Sequence, residues 1–245
     1  MALPILETAT YELTLPSQDT KIKFRPFLVK EEKILLQALE SEESKQIVDA
    51  LKNIVHTCTF GTINVDELPT FDLEYIFLQI RSKSVGEVVK LRVLCPDDKK
   101  TYVNKDVDLS KVEVQVDDNH TNNIVIDETK KLGLIMKYPT INSVDPTTDA
   151  KGMKTEQLFD IISNTIHQIY EGDKTHNAVD YTKEDLNKFV EGLDTKAFGK
   201  IQEFFNSMPK LKHSIEVENP TTKVKSTVVL SGLADFFVSP SLTIV

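Results

Sequence analysis

Phe71-Asp-Leu-Glu-Tyr-Ile-Phe-Leu-Gln-Ile-Arg-Ser-Lys-Ser-Val-Gly86 joins a strongly apolar segment to a small polar elbow. Phe71, Tyr75 and Leu78 form one apolar row at helical spacing, and Ile76, Phe77 and Ile80 form others. A helix that is apolar most of the way round belongs at the centre of a core. The spacing predicts a helix from about Phe71 to Arg81. The elbow Arg81-Ser-Lys-Ser-Val-Gly86 then turns, with Gly86 at an unusual backbone angle, into a β-hairpin opening at Val88.

The rest of the chain divides around this helix. Residues 11–15 and 21–25 alternate and flank turn residues 16–20, so they form a hairpin with Ile22 and Phe24 on one side. A helix follows over 29–39 with Ile34, Leu35 and Leu39 as its stripe, and Glu31 and Glu32 favour its dipole. Ser44 is placed to cap a second helix running into Cys58. Strands are predicted at 88–95, 101–107, 112–116 and 124–126, with a short apolar segment at 132–136. Residues 140–154 carry Pro146, Asp, Thr and Gly and read as a linker between residues 1–139 and 155–245.

Beyond that linker, Thr155 is placed to cap a helix with Leu158, Ile161, Ile162, Ile166 and Ile169 on one face. Thr182 and Asp185 form a capping box, and a third helix spans 195–207. A second hairpin has its turn at Asn219-Pro-Thr-Thr222. Helices and hairpins are segregated rather than alternating, so the fold class is α+β.

The chain has 245 residues with a formal net charge of −9 and 40% hydrophobic residues. The acidic balance argues against a general nucleic-acid binder, which needs clustered Lys and Arg. The basic runs at 99–100 and 210–213 read as solvated strand edges. No apolar run approaches a membrane span of about 20 residues. The start, Met1-Ala-Leu-Pro-Ile-Leu-Glu, lacks the build of a signal peptide. Two cysteines are too few for a disulfide framework, so synthesis in a reducing cytoplasm is expected.

The chemical motifs are sparse. Cys95-Pro-Asp-Asp98 lies at a hairpin tip where zinc ribbons carry Cys-x-x-Cys, but the second cysteine is replaced by Asp98. Cys58 and Cys95 are the weak metal candidates, and the preferred reading makes Cys95 a small apolar residue. His56 stands two residues from Cys58, on a different side of a helix. No nucleophile elbow or phosphate-binding glycine loop occurs. The five histidines show no ligand spacing, and His167 reads as a half-buried helical side chain. No catalytic residue, cofactor or small-molecule substrate is expected. The hairpin tips 96–100 and 219–223 are the expected contact surfaces, because loops on rigid elements commonly carry binding. Partner-binding candidates are Arg81, Lys83, Asp97, Asp98, Lys99 and Lys100. Arg81 and Ser84 also have a purely structural reading as stabilisers of the turn.

With these residues in view, the chain resembles the baseplate protein family of T-even-type contractile-tailed bacteriophages, whose members are baseplate hub subunits or hub assembly proteins. Four segments carry the resemblance: Phe24-Arg-Pro-Phe-Leu-Val-Lys-Glu-Glu-Lys33 with Leu35-Leu36, the Phe71–Gly86 block, the Cys95-Pro tip, and residues 204–211 with 232–237. The Phe71–Gly86 block is the specific one. Relatives of this kind carry Cys-x-x-Cys at the tip, so Asp98 puts an inherited metal in doubt. The resemblance implies a non-enzymatic, chaperone-like assembly factor that binds other phage baseplate and tail proteins in the host cytoplasm, with no nucleic acid or membrane. The alternatives are a permanent hub subunit in the virion, and a zinc-stabilised adaptor or small metalloenzyme.

Overall fold

The computed structural model describes residues 7–143 and 155–236. Among these residues it contains six α-helices and eleven β-strands in small antiparallel sheets, an α+β fold as expected. The chain forms two compact units. Unit 1 takes the residues up to Gln115 together with those from Lys210 onward, and unit 2 takes Val116–Pro209. Unit 2 is therefore an insertion in the sequence of unit 1. Of the 140–154 stretch read as a linker, residues 144–154 lie outside the described residues, as do the first six residues and Phe237 onward.

In unit 1, strands β1 (Tyr11–Leu15) and β2 (Thr20–Phe24) pair as the first hairpin and bury Leu13, Leu15, Ile22 and Phe24. Helix α1 (Val29–Ser41) buries Glu31, Leu35 and Ala38, whereas Ile34 faces outward. Glu31 does more than favour a dipole. Its carboxylate accepts from Arg25 Nη2 at 3.0 Å and from the Leu28 N–H at 2.7 Å. Burial is the largest single influence and raises its pKa, but the hydrogen bonds from Arg25 and Leu28 together with the charges of Arg25 and Lys30 outweigh it, so the group stays below its ordinary value. Helix α2 (Ser44–Cys58) starts on Glu43, so Ser44 is its first helical residue and not its cap.

Helix α3 (Thr70–Val85) lies against α2, β1, a turn at Leu109–Lys111 and two later strands. Leu73, Ile76, Phe77, Leu78 and Ile80 are fully covered. This helix runs one turn further than its apolar rows predict. Arg81, Ser82, Lys83, Ser84 and Val85 are helical, and the chain breaks only at Gly86, with φ 121°. Ser84 ties this added turn to the chain before α1: its hydroxyl donates to the Ile80 carbonyl at 2.6 Å and accepts from the Phe27 N–H at 2.9 Å. Strands β3 (Val88–Leu94) and β4 (Tyr102–Asp108) form the next hairpin. Strand β5 (Glu113–Gln115) pairs with β10 (Lys210–Glu218), which also pairs with β11 (Lys225–Ser231). The basic run 210–213 thus lies on a central strand rather than an edge.

In unit 2, strands β6 (Asn123–Asp127), β7 (Leu132–Met136), β8 (Ile166–Glu171) and β9 (Lys174–Asn177) form one antiparallel sheet. Helices α4 (Thr155–Thr165), α5 (Lys183–Glu191) and α6 (Thr195–Ser207) complete the unit. Ile124, Leu134, Met136, Ile162, Ile201 and Phe204 belong to their common core. The helix expected to carry Ile166 and Ile169 stops at Thr165, whose hydroxyl donates to the Ile161 carbonyl at 2.9 Å. Ile166 and Ile169 are strand residues. The register with β7 shifts between Ile135 and Met136, so Gln168 faces Ile135 while Ile166 faces Met136. That irregularity brings two residues three apart to one face, the spacing a helix would show. His167 is an exposed strand residue, not a helical one. The Thr182–Asp185 capping box forms as expected, with Asp185 N–H donating to Thr182 Oγ1 at 3.2 Å.

Candidate functional site

The two hairpin tips of unit 1 share one local design. One reads Cys95-Pro-Asp-Asp-Lys99 and the other Asn219-Pro-Thr-Thr-Lys223. Lys99 N–H donates to the Cys95 carbonyl at 3.0 Å, and Lys223 N–H donates to the Asn219 carbonyl at 2.9 Å. Both lysines stand in the left-handed region, at φ 52° and 62°. In each tip a polar side chain folds the turn. Asp98 accepts from the Lys100 and Thr101 N–H groups, both at 3.0 Å, and Asn219 Oδ1 accepts from the Thr221 N–H at 2.8 Å.

The tips are also joined to each other. Asn219 Nδ2 donates to both oxygens of Asp97, at 3.1 and 3.0 Å, and Thr222 Oγ1 donates to Asp97 Oδ2. Asn219 is 1% exposed, so its amide depends on these partners. The Thr222 and Asn219 hydrogen bonds hold the Asp97 carboxyl below its ordinary pKa, and those from Thr101 do the same for Asp98. Of the partner-binding candidates here, Asp97 and Asp98 are therefore engaged within the clasp. Lys99 and Lys100 are exposed. The repeated X-Pro-x-x-Lys pattern was visible in the sequence, but the roles of Asn219 and Thr222 as partners of Asp97 were not.

The other candidates sit on α3. Arg81 is buried, and that burial pulls its pKa down. Lys83 is paired with Glu87 and lies 5.5 Å above the Tyr11 ring centre. The same helix also buries two acids, Asp72 and Glu74, which nothing in the local sequence pattern marks. Asp72 accepts from the Ser17 N–H at 3.2 Å, pinning the first hairpin turn to α3. Glu74 accepts from the Leu233 N–H at 3.3 Å, and burial pushes its carboxyl up to about 7.

Cys58 and Cys95 are both fully covered. Burial pushes the Cys58 thiol up to about 11, and burial followed by the charges of Asp97 and Asp98 raises that of Cys95. Such thiols are poor nucleophiles and poor ligands. Among the described residues, no three His, Cys, Asp or Glu side chains converge as a metal-binding group.

Unit 2 holds a histidine–hydroxyl cluster and an apolar cavity. His120 contacts Ser207 Oγ through Nδ1 at 2.9 Å and the Tyr138 hydroxyl through Nε2 at 3.1 Å. Ser207 Oγ also donates to the Glu203 carbonyl at 2.8 Å, and both imidazole nitrogens face hydroxyls, so the group ties down the end of α6. A cavity of about 480 Å³ is lined by Ile169, Glu171, His176, Tyr181, Leu186 and Phe189. His176 Nδ1 lies 2.6 Å from the Tyr181 hydroxyl at this site. No described helix is long and apolar enough to cross a membrane.

A family model described as T4 bacteriophage base plate protein matches residues 8–238. No curated protein and no solved structure matches the chain.

Proposed function

Because this chain belongs to the T4 bacteriophage base plate protein family, we propose that it acts as a non-enzymatic assembly factor for the baseplate hub. It binds other baseplate proteins during tail assembly in the host cytoplasm and makes or breaks no covalent bond. The observation that carries this reading is the family match over residues 8–238, nearly the full chain. The clasped tips support it. Asp97 fixes two turns against one another, so Lys99, Lys100 and Lys223 are presented from a preorganised double tip, and preorganised loops lose less entropy on binding.

Deleting the gene from the phage tests the proposal. The expected result is heads lacking tails and aborted baseplates in the lysate. Normal plaques from the deletion phage would refute it. Mass spectrometry of purified virions then separates the two fates of the protein. Absence of its peptides supports a transient factor, and stoichiometric peptides make it a permanent hub subunit.

A further inference from the structure

Strand β11 ends the β11-β10-β5 sheet, and no described strand lies along its other side. The direction of its backbone groups follows from the turn before it. The Asn219 N–H donates to the Val224 carbonyl, so Val224 faces β10. The register then runs without a shift from Glu218 opposite Lys225 to Lys212 opposite Ser231. Alternation turns the N–H and C=O groups of Lys225, Thr227 and Val229 away from β10. The far end agrees. There the Gly232 N–H reaches the Leu211 carbonyl, whereas the Ser231 N–H turns outward to Asp235 at 2.7 Å.

The other sheet ends are guarded against pairing. β2 carries Lys21 and Lys23, β3 carries Lys90 and Arg92, and β4 carries Lys105 and Asp106. β1 lies against α3. β5 has three residues and β9 four. β6 is irregular, and its Val125 carbonyl accepts from the Lys200 ammonium. β11 has seven residues, and Ser226-Thr-Val-Val-Leu-Ser231 holds no charge, proline or bulge. Its Val229 side chain is 53% exposed. An uncharged, regular edge of this kind is a template for another strand.

We infer that β11 pairs antiparallel with β11 of a second copy, joining two sheets into one. The outward groups are self-complementary about Thr227. That register sets Thr227 opposite Thr227 of the second copy and Lys225 opposite its Val229, and each pair exchanges two backbone hydrogen bonds. The two Lys225 side chains fall at opposite ends of the seam, so no like charges meet there. At each end Ser231 comes opposite Lys223 of the second copy, which brings the Asp235 carboxylate toward an ammonium. The inference goes beyond the assembly-factor reading and does not depend on it.

Sedimentation of the full chain over a range of concentrations tests the pairing, with hydrogen exchange as a second readout. Wild type is expected to dimerise, and its Thr227 and Val229 amides to exchange more slowly as concentration rises. Thr227→Pro removes an outward N–H that β10 does not use, a place where an edge strand accepts proline. It should be a folded monomer. Val229→Lys sets like charges opposite Lys225 and should weaken the dimer at least about 10-fold, because the change acts at both ends of the seam. Val229→Glu sets opposite charges there and should pair at least as tightly as wild type. A wild-type chain that stays monomeric at its highest soluble concentration overturns the inference. So does a dimer that Val229→Lys and Val229→Glu leave unchanged or weaken equally, a comparison that stands even where Thr227→Pro fails to fold. A monomeric wild type whose folded Thr227→Pro variant no longer complements the deletion phage overturns the choice of a second copy in favour of another polypeptide.

Discussion

Glu74→Gln offers a quantitative test of the core around α3. Glu74 is 9% exposed and accepts one backbone hydrogen bond, from Leu233. Burial raises its pKa from 4.5 to about 7 in the folded state. Between these values the folded protein holds a proton that the unfolded chain has released. Stability therefore falls as pH rises from about 4.5 to about 7 and levels off above. At 1.36 kcal/mol per unit the loss is roughly 3 kcal/mol. Glutamine keeps a carbonyl oxygen for Leu233 and cannot ionise. Its amide N–H groups cost about 1 kcal/mol if left without acceptors, so the variant should be more stable than wild type by about 2 kcal/mol at pH 8. Near pH 4.5 it should show no advantage. Two units in one chain break a single unfolding transition. Native-state hydrogen exchange of the amides of Ile76, Phe77 and Ile80 reads unit 1 directly. A stability difference between variant and wild type that stays constant from pH 4.5 to 8 would refute the reasoning.

Three further outcomes are expected. Arg25→Met should destabilise unit 1 by about 2 kcal/mol, because the buried Glu31 carboxylate loses its Arg25 partner and keeps only the Leu28 N–H and the exposed Lys30 ammonium at 3.4 Å. Chemical denaturation at pH 7 measures this, and the deficit should shrink as pH falls and Glu31 is protonated. Gly133→Ala should cost unit 2 about 1–3 kcal/mol. A β-carbon there would stand 2.1 Å from the Tyr170 hydroxyl oxygen and 2.7 Å from the Ile124 carbonyl oxygen, which also disturbs the Tyr170–Asn123 hydrogen bond. Loss of protection in the β7 and β8 amides checks it. Cys58 and Cys95 should resist a thiol reagent in the native protein at pH 8 and react fully in denaturant. Rapid native labelling of either would contradict their burial and raised pKa values.

Much of the local structure is legible in the residues. The first and last hairpins, the Thr182 capping box and helix 195–207 follow from alternation, turn chemistry and caps, signals that reside within a few residues of each other. The failures share a cause. Ile166 and Ile169 have helical spacing, but a neighbouring strand competes for them, and a register shift against β7 puts both on one face. The polar residues after Ile80 read as a turn because a helix end and a polar helical turn have the same composition. Tertiary contacts separate the two, among them the Phe27 N–H, which donates to Ser84 from 57 residues away.

By itself, the order of residues determined that α3 must be central, since its apolar side chains surround the helix and have no solvent face to offer. It likewise determined the α+β class and the two Pro-containing tips. Tertiary structure decided what those elements do together. It joined Asp97 to Asn219 and Thr222 across more than a hundred residues of chain, drew Glu31 inward onto Arg25, and left one side of β11 without a described neighbouring strand. Sequence spacing specifies which way a side chain points within its own element. Which partner it meets depends on how distant segments close around the core, and for buried polar groups that meeting sets both charge and stability.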